Sequence, residues 1–570
     1  MMKYKGHYTV IGPPGTGKTT WIASQIKKIC DESLGGSFQN QSPVLVCSLT
    51  KAAAAEAAGR DLPLPPEAVA TMHAHGFRTM DGVVLITGKM IKEVFNADNP
   101  GFAITPEDVQ VDDELGPTES TGEQSIGDRW ASDYHLLRHC MTPRDQWPPA
   151  TAAWARKWEQ FKESQNAIDF TDMIEYASEE PPFNPKIIIC DEAQDMSALE
   201  MWKLKQWGDA AGALITVGDP WQALYVWRGA QPDSLLNDLH ENPEHFKILK
   251  QSWRIPAAVH EVATNWIKKL STYEEIEYLP KVGDPGHVEQ LSMSRYTAPK
   301  EMLYHVMDQV DQGKTCMLQL TCNHMAGVLC HYLREEGIPF SNPWRKHNHR
   351  WNPLAERKGI SMSQRVTALL KAARPVHGED RRMWDLTDIF YWANAMKVGG
   401  MFQRGAKKKM AEMATQYPNA RFETEHRGAW FLEDSLTEQS NFGKIWSWFE
   451  RTDRGEDLPV SMLLDIWIAG LDASHAKAAK YIRDVVVKQG AEHLTKEPQI
   501  YVGTIHSFKG GEADVVYLWP DISPRSMDGY CQGGGEEHDS VIRAFYVGIT
   551  RAKQSLYLCE GSNANAVEIL

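Results

Sequence analysis

One short stretch constrains the fold of this chain more than any other: Gly12-Pro13-Pro14-Gly15-Thr16-Gly17-Lys18-Thr19, set between the apolar run Tyr8–Ile11 and a helical pattern over Trp21–Ile29. Strand, glycine-rich turn and helix in that order make a loop whose backbone N–H groups can wrap phosphate oxygens. Gly12, Gly15 and Gly17 let the backbone curl, Lys18 reaches toward the terminal phosphates, and Thr19 offers a hydroxyl to magnesium.

Such a loop belongs at the carboxyl edge of a parallel sheet, and the chain supplies the strands. Short apolar runs recur at Val44–Cys47, Ile187–Cys190 and Leu214–Val217, then at Met317–Leu320, Ile500–Val502, Val515–Leu518 and Leu556–Leu558. Their length and lack of alternation suit strands buried on both faces. The expected fold class is α/β: two domains with parallel sheets, each interrupted by a mainly helical insertion. The boundaries read as 1–78 with 169–235, insertion 79–168, then 236–340 with 485–570, and a second insertion, 341–484. Within the first insertion, Pro106–Asp128 is acidic and rich in Gly, Ser and Thr, as a long surface loop is, while Thr151–Ser164 has helical spacing. The second carries Trp344, Trp351, Trp384, Trp392, Trp430, Trp446, Trp448 and Trp467, which at helical spacing are more often core than a binding face.

A length of 570 residues exceeds one hydrophobic core. A net charge of −15 excludes a polybasic, histone-like binder but leaves room for a locally basic groove. Nine cysteines without a CxxC pair read as reduced thiols rather than a metal cluster. Neither a signal-peptide core nor an apolar run of about 18 residues is visible, so a cytoplasmic protein without membrane contact is the expectation.

A second chemical signal, Asp191-Glu192-Ala193-Gln194-Asp195, directly follows Ile187–Cys190. An Asp at a strand end can hold magnesium, and the adjacent Glu can orient and deprotonate the water that attacks a phosphate. Exposed acidic turns are common, but one that follows a phosphate loop reads as the other half of a triphosphatase site.

Four further motifs carry a family resemblance. Gly218-Asp219-Pro220-Trp221-Gln222 runs into Tyr225-Val226-Trp227-Arg228-Gly229-Ala230, and Gln251-Ser252-Trp253-Arg254 follows. Later come Thr504-Ile505-His506-Ser507-Phe508-Lys509-Gly510-Gly511-Glu512 and Phe545-Tyr546-Val547-Gly548-Ile549-Thr550-Arg551-Ala552. With Asp169-Phe170-Thr171-Asp172-Met173 upstream of the acidic box, the chain resembles the UvrD/Rep-like branch of superfamily 1 helicases. The motifs run in order through both α/β domains, and the insertions match little beyond position and length. The resemblance implies two RecA-like domains that use ATP with Mg2+. It makes Gln222 a γ-phosphate sensor, and Arg254 and Arg551 the guanidinium groups that neutralise charge during transfer. By the same resemblance Trp253 stacks on adenine where the family has Tyr, Thr20 lines the nucleotide, and Glu512 meets the ribose.

The resemblance also implies a partner: single-stranded DNA and single-strand/duplex junctions. Trp227 would stack on a base, while Thr50, Lys51, Thr71, His73, Thr504 and His506 would touch the strand without reading its sequence. Lys51 and Ala52 depart from the family's Asn and Lys, and Thr321 stands where the family often has Arg. None of the eleven residues before Gly12 is the Gln that reads the adenine edge in the family, so relaxed base choice is expected. The leading expectation is an ATP-dependent DNA helicase or single-strand translocase, 3′ to 5′ and monomeric. An RNA-directed helicase and an ATP-driven clamp that does not unwind are the alternatives, and retention of Gln222, Arg254 and Arg551 favours a motor over a clamp.

Overall fold

The computed structural model describes residues 5–33, 42–48, 62–106, 125–241, 243–293, 295, 299–346, 348–355, 359–371, 385–397, 402, 404–416, 459–562 and 564–570. Among them the strands are β1 (Gly6–Ile11), β2 (Val44–Ser48), β3 (Val69–Thr71), β4 (Val84–Leu85), β5 (Ala167–Ile168), β6 (Ile187–Asp191), β7 (Ala213–Gly218), β8 (Phe246–Ile248), β9 (His287–Leu291), β10 (Cys316–Leu320), β11 (Ile500–Thr504), β12 (Ala513–Leu518) and β13 (Ala552–Cys559). Two compact units are present. One comprises Met1–Ser292, Gln319–Asn323 and Thr504–Leu570, the other Met293–Leu318 and His324–Gly503.

The first unit holds a six-stranded sheet ordered β3-β2-β6-β7-β1-β8, parallel at every pairing. Every residue of β2, β6 and β7 is buried, which is why these strands read as unbroken apolar runs rather than alternating ones. Register sets Ile11 beside Gly218 and Asp191 beside Val217. The turns that leave β1, β6 and β7 therefore open side by side at the carboxyl edge. The helix Lys18–Ser33 begins inside the glycine-rich loop and packs Ile22, Ile26 and Cys30 against Val44, Val46, Ile189 and Ile215. In the same unit β12, β13 and β9 pair in parallel, and the helix Glu536–Ile549 buries Val541, Ile542, Phe545 and Tyr546. Two parallel sheets wrapped by helices bear out the α/β expectation.

Between Arg78 and Asp169 lie two longer helices, Ile126–His139 and Pro149–Ser164. Phe95, Tyr134, Trp154, Trp158 and Phe161 form their core, with Trp154 stacked on Trp158 at 5.2 Å. Asp128, placed in a surface loop by composition, instead belongs to the first turn of its helix. There its carboxylate accepts from the Thr105 N–H at 2.7 Å and from Ser125 Oγ at 2.7 Å. Residues 107–124 of that stretch lie outside the described residues. Arg138 and Lys162 meet Asp169 and Asp172 in a buried ionic cluster, so the Asp169–Met173 segment is fixed by charge as well as packing.

The second unit is mainly helical, with Pro299–Asp311, Met362–Leu370, Leu386–Ala393, Val460–Ala469 and Ala473–Gln489 among its helices. Trp351, Trp392 and Trp467 are buried, and Trp467 Nε1 donates to the Trp392 carbonyl at 3.1 Å. For these three the core reading holds. Trp384, Trp430, Trp446 and Trp448 lie outside the described residues. No helix among the described residues is long and apolar enough to cross a membrane.

Candidate nucleotide and strand site

The loop after β1 is shaped by its glycines. Gly15 has φ +72°, and a Cβ there would stand 2.5 Å from Arg254 Cβ and 2.7 Å from Ser252 Oγ, so neither conformation nor space admits a side chain. Lys18 Nζ donates to the Gly12 carbonyl at 2.7 Å, folding the ammonium back over the loop. Lys18 also opens a 16-residue helix, whose amino end favours anions. Thr19 is half-buried beside it, and Thr20 is exposed.

From the end of β6 a chain of hydrogen bonds runs through four side chains to an arginine. Glu192 adopts a left-handed backbone, φ 55° and ψ 41°, that turns its carboxylate out of the strand line. Gln194 Nε2 donates to Glu192 Oε2 at 2.5 Å, and Gln194 Oε1 accepts from the Asp219 N–H at 3.0 Å. Asp219 Oδ2 accepts from Gln222 Nε2 at 2.7 Å. Gln222 Oε1 accepts from Arg551 at 2.6 Å. Burial works to raise the Glu192 carboxyl, but Lys18, Lys509, the Gln194 amide and Arg551 together hold it below its ordinary value. For Asp219 burial outweighs the lowering pull of Lys18 and the Gln222 amide, and its carboxyl is pushed up.

Two guanidinium groups converge on this edge. Arg551 is buried, donates to the Val547 and Gly511 carbonyls, and is brought down to about 10 by desolvation and by Arg254. Arg254 has its Cβ against Gly15 and pairs through Nε with Glu512 at 2.8 Å. Trp253 donates its backbone N–H to the Gly15 carbonyl at 2.8 Å, while its side chain is 74% exposed with Cδ1 close to Gly17. An indole face left open beside a phosphate loop can receive a planar base.

Sequence reasoning singled out no role for Lys509. Its ammonium pairs with Asp195, bonds the Gln222 carbonyl at 3.3 Å and lies 5.1 Å from the Tyr225 ring centroid. The residue was visible inside a quoted motif, but its partner lies 314 positions away.

The residues expected to touch a strand are more dispersed. Trp227 is 37% exposed on a short turn, tilted against Tyr225 at 6.4 Å. Its neighbour Arg228 pairs with buried Glu200 at 2.9 Å. Thr71 caps the helix Met72–Arg78 by accepting from the Ala74 N–H, and His73 is buried with its ring edge-on to Phe170 at 5.9 Å. Thr504 is buried, its hydroxyl accepting from the Ser507 N–H, and His506 is half-buried on the turn that leads to Lys509. Thr50 and Lys51 lie outside the described residues.

For a cation, the hydroxyl of Thr19 and the carboxylate of Asp191 are hard oxygen donors on the segments that leave β1 and β6, with β7 between those strands. Among the described residues no three His, Cys, Asp or Glu gather as an all-protein cage would require. Few protein oxygens, with phosphate and water completing the sphere, is the donor set that suits Mg2+.

The sequence profile of the UvrD/REP helicase N-terminal domain matches residues 1–243, and that of the UvrD-like helicase C-terminal domain matches residues 460–563. A protein named probable DNA helicase II homolog from Rickettsia felis is 24% identical across 97% of this chain and 90% of its own length. One of the same name from Mycoplasma capricolum is 25% identical over 47% of this chain and 40% of its own. The two profiles take in the phosphate loop, the carboxylate relay and Arg551, while Arg254 lies between them, and this chain therefore belongs to the UvrD/Rep-like family of ATP-dependent DNA helicases.

Proposed function

We propose that this chain hydrolyses ATP with Mg2+ to move 3′ to 5′ along single-stranded DNA and to open the duplex at a junction. The observation that carries this reading is the unbroken relay Glu192–Gln194–Asp219–Gln222–Arg551, which links the carboxylate beside Asp191 to a cation delivered from a segment 329 residues beyond Gln222. A simple clamp has no need of such a link. In this reading Gly12, Gly15 and Gly17 present backbone N–H groups to the triphosphate, and Lys18 neutralises its terminal oxygens. Trp253 holds the base, Glu512 the ribose, and Thr20 the rim. Thr19 and Asp191 would hold Mg2+, whose charge offsets that of the β- and γ-phosphates. Glu192 accepts the proton of the attacking water at a carboxylate oxygen. Arg254 and Arg551 offset the negative charge that spreads over the transferring oxygens, and Gln222, bonded to Arg551, senses whether the γ-phosphate is present.

Trp227 stacks on a base, while Thr50, Lys51, Thr71, His73, Thr504 and His506 line the strand path, and two alternating grips convert cleft closure into steps. Partially duplex DNA with a 3′ or a 5′ tail separates the claims. Strand separation is expected only from the 3′ tail and only with ATP. Unwinding from the 5′ tail alone would reverse the polarity, and strong DNA-stimulated hydrolysis with neither unwinding nor translocation would return the clamp.

A further inference from the structure

We infer that Tyr278 is a positioning residue for the nucleotide: with Ser252 it fixes the Pro14 carbonyl, and through that peptide plane it aims the Gly15 N–H of the phosphate loop. The inference rests on Gly12–Thr19 being the triphosphate site. Tyr278 lies outside every motif that carries the family resemblance, and its contact is visible only in three dimensions.

A phosphate loop functions when its N–H groups point inward, which obliges its carbonyls to point elsewhere and find donors there. A buried carbonyl without one costs as much as a lost hydrogen bond. Pro14 is buried, and its carbonyl accepts from two hydroxyls, Tyr278 Oη at 2.9 Å and Ser252 Oγ at 3.0 Å. The next carbonyl, that of Gly15, accepts from the Trp253 N–H. Because a peptide unit is planar and trans, its C=O and the N–H that follows point in opposite directions. Holding Pro14 O therefore sets the direction of the Gly15 N–H without any contact to that group.

Tyr278 is itself well anchored. Its neighbour Leu279 exchanges backbone hydrogen bonds with Lys250 and Ser252 at 2.8 and 2.9 Å. His260 Nε2 donates to the Tyr278 carbonyl at 3.1 Å, with the two rings 4.5 Å apart. Ser252 Oγ accepts from the Arg254 and Ile255 N–H groups, so the same short segment that carries Arg254 and Trp253 also shapes the loop they face. Burial raises the Tyr278 phenol, which stays a donor at neutral pH.

Tyr278→Phe keeps the ring and its packing and deletes one donor. Steady-state hydrolysis should show KM for ATP raised about two- to tenfold, with kcat within about twofold of the parent. The dissociation constant of a fluorescent ATP analogue should rise in parallel, and affinity for oligo-dT should stay the same. Ser252→Ala, which removes the second donor to the same carbonyl, should raise KM as well, and the double variant should exceed either. Lys18→Ala is measured alongside. If it abolishes hydrolysis while Tyr278→Phe leaves KM unchanged, the role given to Tyr278 is wrong and the loop's is not. If Lys18→Ala hydrolyses ATP normally, the loop is not the triphosphate site. A lower melting temperature with unchanged KM would make Tyr278 a packing residue only and overturn the inference; should Tyr278→Phe fail to fold, an unchanged KM in Ser252→Ala overturns it equally.

Discussion

Glu192 is placed by two things at once: a backbone that only a few per cent of non-glycine residues adopt, and a ring of cations that keeps its carboxylate charged. Both point to a proton acceptor rather than a phosphate ligand. Glu192→Gln should therefore lower turnover by about 10²- to 10⁴-fold while ATP analogue binding stays near the parent value, measured by single-turnover hydrolysis beside equilibrium titration. Equal losses in binding and turnover would place the residue on the phosphates instead. Trp227 makes a different case, since its ring is partly open and held against Tyr225 on one side. Replacement by Ala should cost about 1–3 kcal/mol of single-strand affinity if a base stacks there, read by fluorescence anisotropy with labelled oligo-dT. Unchanged affinity with a lower melting temperature would return the indole to the core.

At the scale of elements, the end of β11 and the turn after it call for the next experiment, because they carry Thr504 and His506 at one end and Lys509 at the other. Burial holds the Asp195 carboxyl up to about 6 despite the attraction of Lys509. As pH falls through that value Asp195 takes up a proton and its ion pair with Lys509 dissolves. A raised carboxyl binds its proton more tightly folded than unfolded, so this group adds no acid lability over the same window; what acidification removes is the tie, not the fold. Oligo-dT-stimulated hydrolysis should therefore decline between about pH 7 and 5 with an inflection near 6, and Asp195→Asn should lack that inflection. Persistence of the inflection in the variant would assign it to another group. These elements also show what the amino-acid order discloses. β2, β6 and β7 were legible because strands buried on both faces are written as continuous aliphatic runs. The helix after the phosphate loop begins at Lys18 rather than Trp21, since its first turn is polar and apolar periodicity says nothing there. The anchoring of Lys509 and Tyr278 was not legible, because each depends on a partner hundreds of positions away, and no local pattern encodes that.

For the whole molecule, a net charge of −15 sits beside a loop edge that gathers Lys18, Arg254 and Arg551, the cations proposed to face the nucleotide. The proposed strand contacts are mostly neutral: threonines, an indole and histidines, with Lys51 as the one fixed positive charge. Counterion release scales with the phosphates that cations neutralise, so the affinity for oligo-dT should fall with salt on a shallow log–log slope, about −1 to −2. A slope of about −5 or steeper would reveal a basic groove that this set of residues omits. The relay from Glu192 ends on Arg551, and Arg551 is separated from its partner Gln222 by 329 residues. A ribosome adding about 5–20 residues per second needs roughly 15–65 s to cover that distance. For most of that interval a nascent chain holds the phosphate loop and Arg254 but not Arg551, so on the reading proposed above an unfinished copy grips a nucleotide before the relay that consumes it is complete.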